Sequence, residues 1–210
     1  MLSHIQFCSE AACDTTVSAG TESGWSATLV NGAFAANGVL TLNGSNQFLE
    51  FPSGILSSLR EYTIACWVNV AAVSYEARIW DFGEDEGNYI CFKASQENSG
   101  IPAFEARMNY SDKQGISLSH AIPLNKWTHI AISFRQNQVM IYFNGTLNAS
   151  GPCSIRPSDF AIASRNWIGR SKYRGDSYFT GSISDLRVFE RALAAEEVLA
   201  ISLGNFRYVL

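Results

Sequence analysis

Residues 170–178 read RSKYRGDSY and set Arg170, Lys172 and Arg174 among Tyr173, Asp176 and Tyr178. That mixture suits a sugar. A sugar ring offers an apolar face of C–H groups to an aromatic plane and a rim of hydroxyls to planar polar side chains, and arginine pairing with a carboxylate can hold an acidic sugar. Strand alternation would put the three cations on one face and Tyr173 on the other, with a Gly175-Asp176 turn interrupting it. The plainer reading is a surface loop whose cations neutralise nearby carboxylates. A second stretch, AAVSYEARIW, carries Tyr75, Glu76, Arg78 and Trp80. If Trp80 and Phe82 share a face with Arg78, that face is either core, the favoured reading, or a lined groove. A third is the side of YTIACWVNV and KWTHIAISF facing away from the aliphatics, where Trp67 is expected to neighbour His129 and Tyr142 across strands. Trp25 and Tyr110, in loop-like surroundings, are weaker candidates.

Other chemistries find little support. Glu84, Asp85 and Glu86 are consecutive and sit in a turn signal, so they cannot line one strand face, and a solvated hairpin tip is expected there. No G-x-S-x-G nucleophile motif occurs, and His4, His120 and His129 lack metal-ligand spacing. His129 alternates with Trp127 and Ala131, so it reads as a satisfied polar residue on the outer or concave side of a sheet. The D-x-[DN]-x-[DN]-G calcium pattern is absent, so no cofactor is expected and calcium has no motif behind it. The five cysteines match no zinc pattern. Cys66 and Cys91 lie inside apolar runs and read as reduced core residues, while Cys8 and Cys13 can close a small loop only in an oxidising compartment. Asn43, Asn109, Asn144 and Asn148 begin N-x-S/T, which matters only for a secreted eukaryotic chain.

The elements that must position these groups are strands. The chain has 210 residues, 47% hydrophobic, 12% aromatic and 16% charged, which fits one domain over 1–210 around a single large core. Strand-sized apolar runs alternate with turn signals about every ten residues, as in a two-sheet antiparallel β-sandwich of the jelly-roll kind. GVLTLNGSNQFLEFP reads as a hairpin joined at Asn43-Gly44. ARIWDFG and NYICFKA flank the acidic turn, and WTHIAISFR meets QVMIYFNGT through Gln136-Asn137. Near the end, Phe179–Phe189 alternates, with Ile183, Asp185, Arg187 and Phe189 on one side and Ser184, Leu186 and Val188 on the other. From Ala192 the period turns helical through Leu193, Glu197 and Ile201. That short helix is expected to lid an open end of the core. The formal charge of −4 argues against nucleic acid or anionic membrane as partners. No run approaches the ~20 apolar residues of a membrane span, and MLSHIQFCSEAACDTT lacks the basic and apolar regions of a secretory signal, so localisation stays open.

LTLNGSNQFLEFP, YTIACWVN, RIWDFG, KWTHIAISF, MIYFNGT, NWIGRSKY and YFTGSISDLRVFERALAAEEVLAI resemble, in order and spacing, the laminin-G-like, concanavalin A-like lectin/glucanase domains. The likeness runs from about Ile5 to Ile201 and is greatest to the bacterial type appended to glycoside hydrolases and cell-surface proteins. It implies a β-sandwich, an extracellular or cell-surface setting and, as the commonest role, non-catalytic binding of a glycan or polysaccharide. The catalytic E-x-D-x-x-E of the glucanase branch, whose two carboxylates would work as acid and base, is absent, so no enzyme activity is expected. The opening IQFCSEAACDTTVSAGTESGW departs from the family's Gly-rich turn, which sets aside an inherited calcium site. The competing reading is a protein-interaction or structural docking module of a larger assembly, marked by a contiguous exposed apolar patch or an open edge strand.

Overall fold

The computed structural model describes residues 2–5, 16–18 and 26–205. In chain order the strands are β1 (Leu2–Ile5), β2 (Thr16–Ser18), β3 (Ser26–Val30), β4 (Phe34–Ala36), β5 (Val39–Asn43), β6 (Phe48–Phe51), β7 (Tyr62–Val70) and β8 (Arg78–Asp85). They continue as β9 (Asn88–Lys93), β10 (Ala103–Met108), β11 (Asp112–Ser117), β12 (Trp127–Arg135), β13 (Gln138–Phe143), β14 (Thr146–Pro152), β15 (Arg165–Ile168) and β16 (Thr180–Phe189), before helix α1 (Ala195–Ser202). Two antiparallel sheets pack face to face. The first runs β14-β13-β12-β7-β16-β5-β4 with β1 also on β16, and the second runs β11-β10-β9-β8-β15-β6-β3-β2. Period-two alternation fills the space between them with Leu40, Ile64, Val68, Trp80, Phe92 and Ile132, among others, all essentially dry. Cys66, Cys91 and Cys153 are buried free thiols, and burial pushes them up to about 12, 12 and 11. Cys8, Cys13 and Trp25 lie outside the described residues. Among the described residues no helix is long and apolar enough to cross a membrane.

The sandwich is as expected, but four local readings change. Asn43-Gly44 does not close a hairpin, because β5 pairs in the first sheet and β6 in the second, so the segment is an arch between sheets. In β8 Ile79 is an extra residue, Arg78 facing Lys93 while Trp80 faces Phe92. This bulge sends Trp80 and Phe82 into the core and Arg78 to the opposite face. A second bulge in β16, at Asp185 with φ of 50°, lets Ile183, Leu186 and Val188 all face the core while Phe189 faces outward. Helix α1 does not lid the end of the core. Leu193, Val198 and Ile201 pack on Ala65, Ala131, Tyr142 and Phe189, which form the outer face of the first sheet. The hairpins at Gln136-Asn137 and at the acidic turn form as expected.

Candidate functional site

The outer face of the second sheet carries the charge that the core excludes. Alternation puts Tyr89, Cys91 and Lys93 of β9 opposite Ile90 and Phe92, and Glu105 and Arg107 of β10 opposite Phe104 and Ala106. The Ile79 bulge adds Arg78 and Asp81 to that face, and the loop after β15 folds across it with Ser171, Lys172, Tyr173 and Asp176. Four carboxylates thereby meet four cations. Arg78 Nη1 donates to Asp81 Oδ2 and Arg78 Nη2 to Asp176 Oδ2 at 3.3 Å. Lys172 Nζ donates to Asp81 Oδ1 at 2.6 Å and its backbone N–H to Oδ2 at 3.1 Å. Lys93 Nζ bonds Glu76 and, at 2.9 Å, Glu105, which Lys113 also reaches at 3.0 Å and to which the Tyr89 hydroxyl donates. Arg78, Asp81 and Lys172 are almost wholly buried. Arg78 also lies over the rings of Tyr89 and Tyr173, at 4.9 and 5.2 Å.

These pairings set protonation. Burial alone would raise Asp81, but the charges of Arg78 and Lys172 outweigh it and hold the carboxyl below its usual range. Burial is likewise overcome at Glu105 by the Tyr89 hydrogen bond and Lys93, leaving it at about 2. Asp176 goes the other way: burial raises it despite the Ser171 hydroxyl, 2.5 Å from Oδ2, and Arg78.

Beside this network opens a groove of about 710 Å³. Its floor is Arg78, Tyr89 and Glu105, and its walls include Tyr75, Gln96, Lys113 and Asp176. Tyr75 is 45% exposed and presents an open ring. Glu76 and Glu105 have both oxygens occupied by protein donors. Asp176 is different, since both of its bonds fall on Oδ2 and Oδ1 takes none among the described residues. The Gln96 carboxamide is equally open. An aromatic plane, an amide and a free carboxylate oxygen thus sit on a rigid, charge-balanced floor.

The nine residues expected to bind ligand divide into separate places. Lys172, Tyr173, Asp176 and Arg78 come together in the network, where Lys172 serves as a buried counter-ion and Tyr173 OH donates to the Glu86 carbonyl at 2.7 Å. Arg170 instead stacks on Trp167 and Phe48, at 4.1 and 4.6 Å, with the Tyr178 ring also near Phe48 at 6.4 Å. Arg174 is exposed and takes part in neither group. The three cations therefore do not share a face, because 170–178 is an irregular loop rather than a strand. Trp67 and His129 pack edge to face at 5.4 Å on the other sheet. Tyr142 is not beside them, as it pairs with Ala131 under α1. His129 is buried with Nδ1 unpartnered rather than satisfied, and burial lowers it to about 4. Tyr110 packs over Gly87 and donates its hydroxyl to Asp85 at 2.9 Å. The acidic tip is tied down rather than freely solvated, Glu84 accepting from the Ile162 N–H at 2.7 Å. Sequence reasoning missed Lys93, Glu105, Gln96 and Lys113. For Lys93 and Glu105 the signal was present as polar residues at alternate positions of NYICFK and AFEARM; Gln96 and Lys113 lie outside those runs.

Comparison with known proteins bears on the fold. Domain 4 of the extracellular arabinanase AbnA from Geobacillus stearothermophilus, solved with arabinotriose, is 21% identical over 96% of this chain and 87% of its own, with a TM-score of 0.69. The binding domain of botulinum neurotoxin DC, solved with rat synaptotagmin II, superposes with a TM-score of 0.77 at 14% identity, covering 97% of this chain and 51% of that one. The ligand-binding domain of botulinum neurotoxin serotype D, solved with N-acetylneuraminic acid, gives 0.70 at 13% identity, over 98% and 51%. The chain spans about half the length of these toxin domains. No curated protein matches it in sequence. Its structural neighbours are mainly binding domains, although the fold also occurs in glycoside hydrolases. Residues 43–199 match the family of concanavalin A-like lectins and glucanases, and the chain belongs to that superfamily.

Proposed function

We propose that the chain is a non-catalytic carbohydrate-binding module whose site is the groove on the outer face of the second sheet. The observation that carries this reading is the open set on its walls: the Tyr75 ring, the Gln96 carboxamide and Asp176 Oδ1 beside a charge-paired floor. Tyr75 stacks on the C–H face of a sugar, and Gln96 and Asp176 take its hydroxyls. The floor is neutralised internally, so a neutral sugar fits better than an acidic one. Binding domains among the structural neighbours were solved with arabinotriose and with N-acetylneuraminic acid, which is consistent with a sugar-binding role here.

Catalysis is disfavoured by the same pairings. Glycoside hydrolysis needs one carboxyl poised to donate a proton and a second free to act as base or nucleophile. Asp176 is raised, but Glu76 and Glu105 are locked to Lys93 and cannot turn toward a scissile bond.

Titration of the purified chain with a panel of soluble neutral and acidic oligosaccharides tests both points. Saturable binding is expected, weakened on the order of tenfold by Tyr75→Ala and left unchanged by Arg174→Ala, with no reducing ends released. Silence across the panel would hand the case to the docking reading, and release of reducing ends abolished by Asp176→Asn would make the chain an enzyme.

A further inference from the structure

The opposite surface of the sandwich holds a second feature, separate from the groove. Across the first sheet, Phe34, Thr41, Ser182, Asn69 and Trp127 are successive cross-strand partners on β4, β5, β16, β7 and β12. The next row is Ala36, Val39, Ser184, Trp67 and His129. Both rows face away from the core, whose side is filled by Leu40, Leu42, Val68 and Ile183. Helix α1 covers the other half of this face and leaves the first row open, while in the second row His129 is buried against Trp67.

The platform has no charged side chain in its own rows, the Asp185–Arg187 pair lying beside His129, and its first row is aromatic at both ends. Phe34 is 56% exposed and Trp127 42%, and four strand spacings separate them, about 19 Å. Between them stand Thr41, Ser182 and Asn69, and no Asp, Glu, Lys or Arg occurs in either row. Burial keeps the one titratable member, His129, neutral above about pH 4. The Asn69 carboxamide and the Trp67 and Trp127 indole N–H groups have no protein partner among the described residues, yet none is a buried orphan. They are free to donate to a ligand.

We infer that this platform binds an extended neutral polysaccharide, laid across the strands with sugar faces on Phe34 and Trp127 and hydroxyls on Asn69, Thr41 and Ser182. Uncharged polar groups between separated aromatic planes complement a neutral polyol. A second protein copy would want an apolar centre, and Thr41, Ser182 and Asn69 occupy that centre instead. Two exposed aromatic planes about 19 Å apart suit an extended chain rather than a single sugar.

The test is depletion of the full chain from solution by insoluble cellulose, chitin and xylan, at low and high salt. Binding to at least one of them, insensitive to salt, is expected, and Trp127→Ala and Phe34→Ala should each weaken it about tenfold without altering the melting temperature. Tyr75→Ala should leave this binding intact, so failure of the groove and failure of the platform give different patterns. Lack of depletion by all three polysaccharides, or depletion indifferent to the Phe34→Ala/Trp127→Ala double change, would overturn the inference. So would sedimentation showing a dimer that Trp127→Ala dissociates.

Discussion

Asp81 holds the groove floor in place. Its two oxygens take Arg78, the Lys172 ammonium and the Lys172 backbone, all in a dry environment. Asp81→Asn leaves two cations buried against each other, so a loss of about 3–5 kcal/mol in urea unfolding is expected, together with loss of groove binding. Loss of binding without loss of stability would show that Asp81 acts on the ligand rather than on the fold. Among the groups that respond to acid, two define a pH window. Below its ordinary 6.5, unfolded His129 takes up a proton that the folded imidazole refuses until about pH 4, so stability falls as pH drops through that window. Glu105 is ionised in the fold down to about 2, so stability falls again between about 4.5 and 2 as the unfolded carboxyl protonates first. Melting temperatures across pH should show both arms, His129→Leu flattening the upper and Glu105→Gln the lower; a melt unchanged from pH 7 to 4 would contradict the burial of His129. At this scale residue type was readable and surroundings were not. Lys172 reads as a surface cation because its partner Asp81 lies 91 residues away.

At the scale of elements, alternation carried most of the structure and two single-residue insertions carried the rest. Core-facing Ile64, Cys66 and Val68 follow directly from period two. Nothing in RIWDFG marks Ile79 as an extra residue, and that one position decides whether Arg78 enters the core or the site. The Asn43-Gly44 pair shows the same limit, because turn chemistry specifies a reversal but not whether the chain returns to the same sheet. Helix α1 was legible as a helix, but not where it docks, since its apolar stripe fits any apolar surface. Its seat includes the β13–β14 turn, where Gly145 adopts a φ of 80° and comes so close that a Cβ would fall 2.6 Å from Leu199 Cδ1 and 2.9 Å from Leu199 Cα. Gly145→Ala is therefore expected to displace the helix and destabilise the protein by about 1–3 kcal/mol, through overpacking and strain together. Urea titrations of the two forms measure this, and equal midpoints would show that α1 does not rest on the turn.

For the molecule as a whole, the two outer faces are chemically opposite. The first sheet turns out an uncharged, partly aromatic platform beside the helix, while the second turns out a charge-paired floor under an open groove. The sandwich explains why they stay apart, since a core of packed side chains separates them and one residue of register moves a group from one environment to the other. The family's architecture was legible in seven ordered motifs. The groove was not, because it is assembled from β8, β9, β10, β11 and three loops that only the sheet order brings together. The most direct measurement is the structure of the chain bound to the soluble oligosaccharide it binds most tightly. A groove site requires a sugar ring stacked on Tyr75 with hydroxyls at Asp176 Oδ1 and Gln96, and the Arg78–Asp81–Lys172 floor unmoved. A ligand seated at the rim loops or elsewhere, with the groove empty, would contradict it.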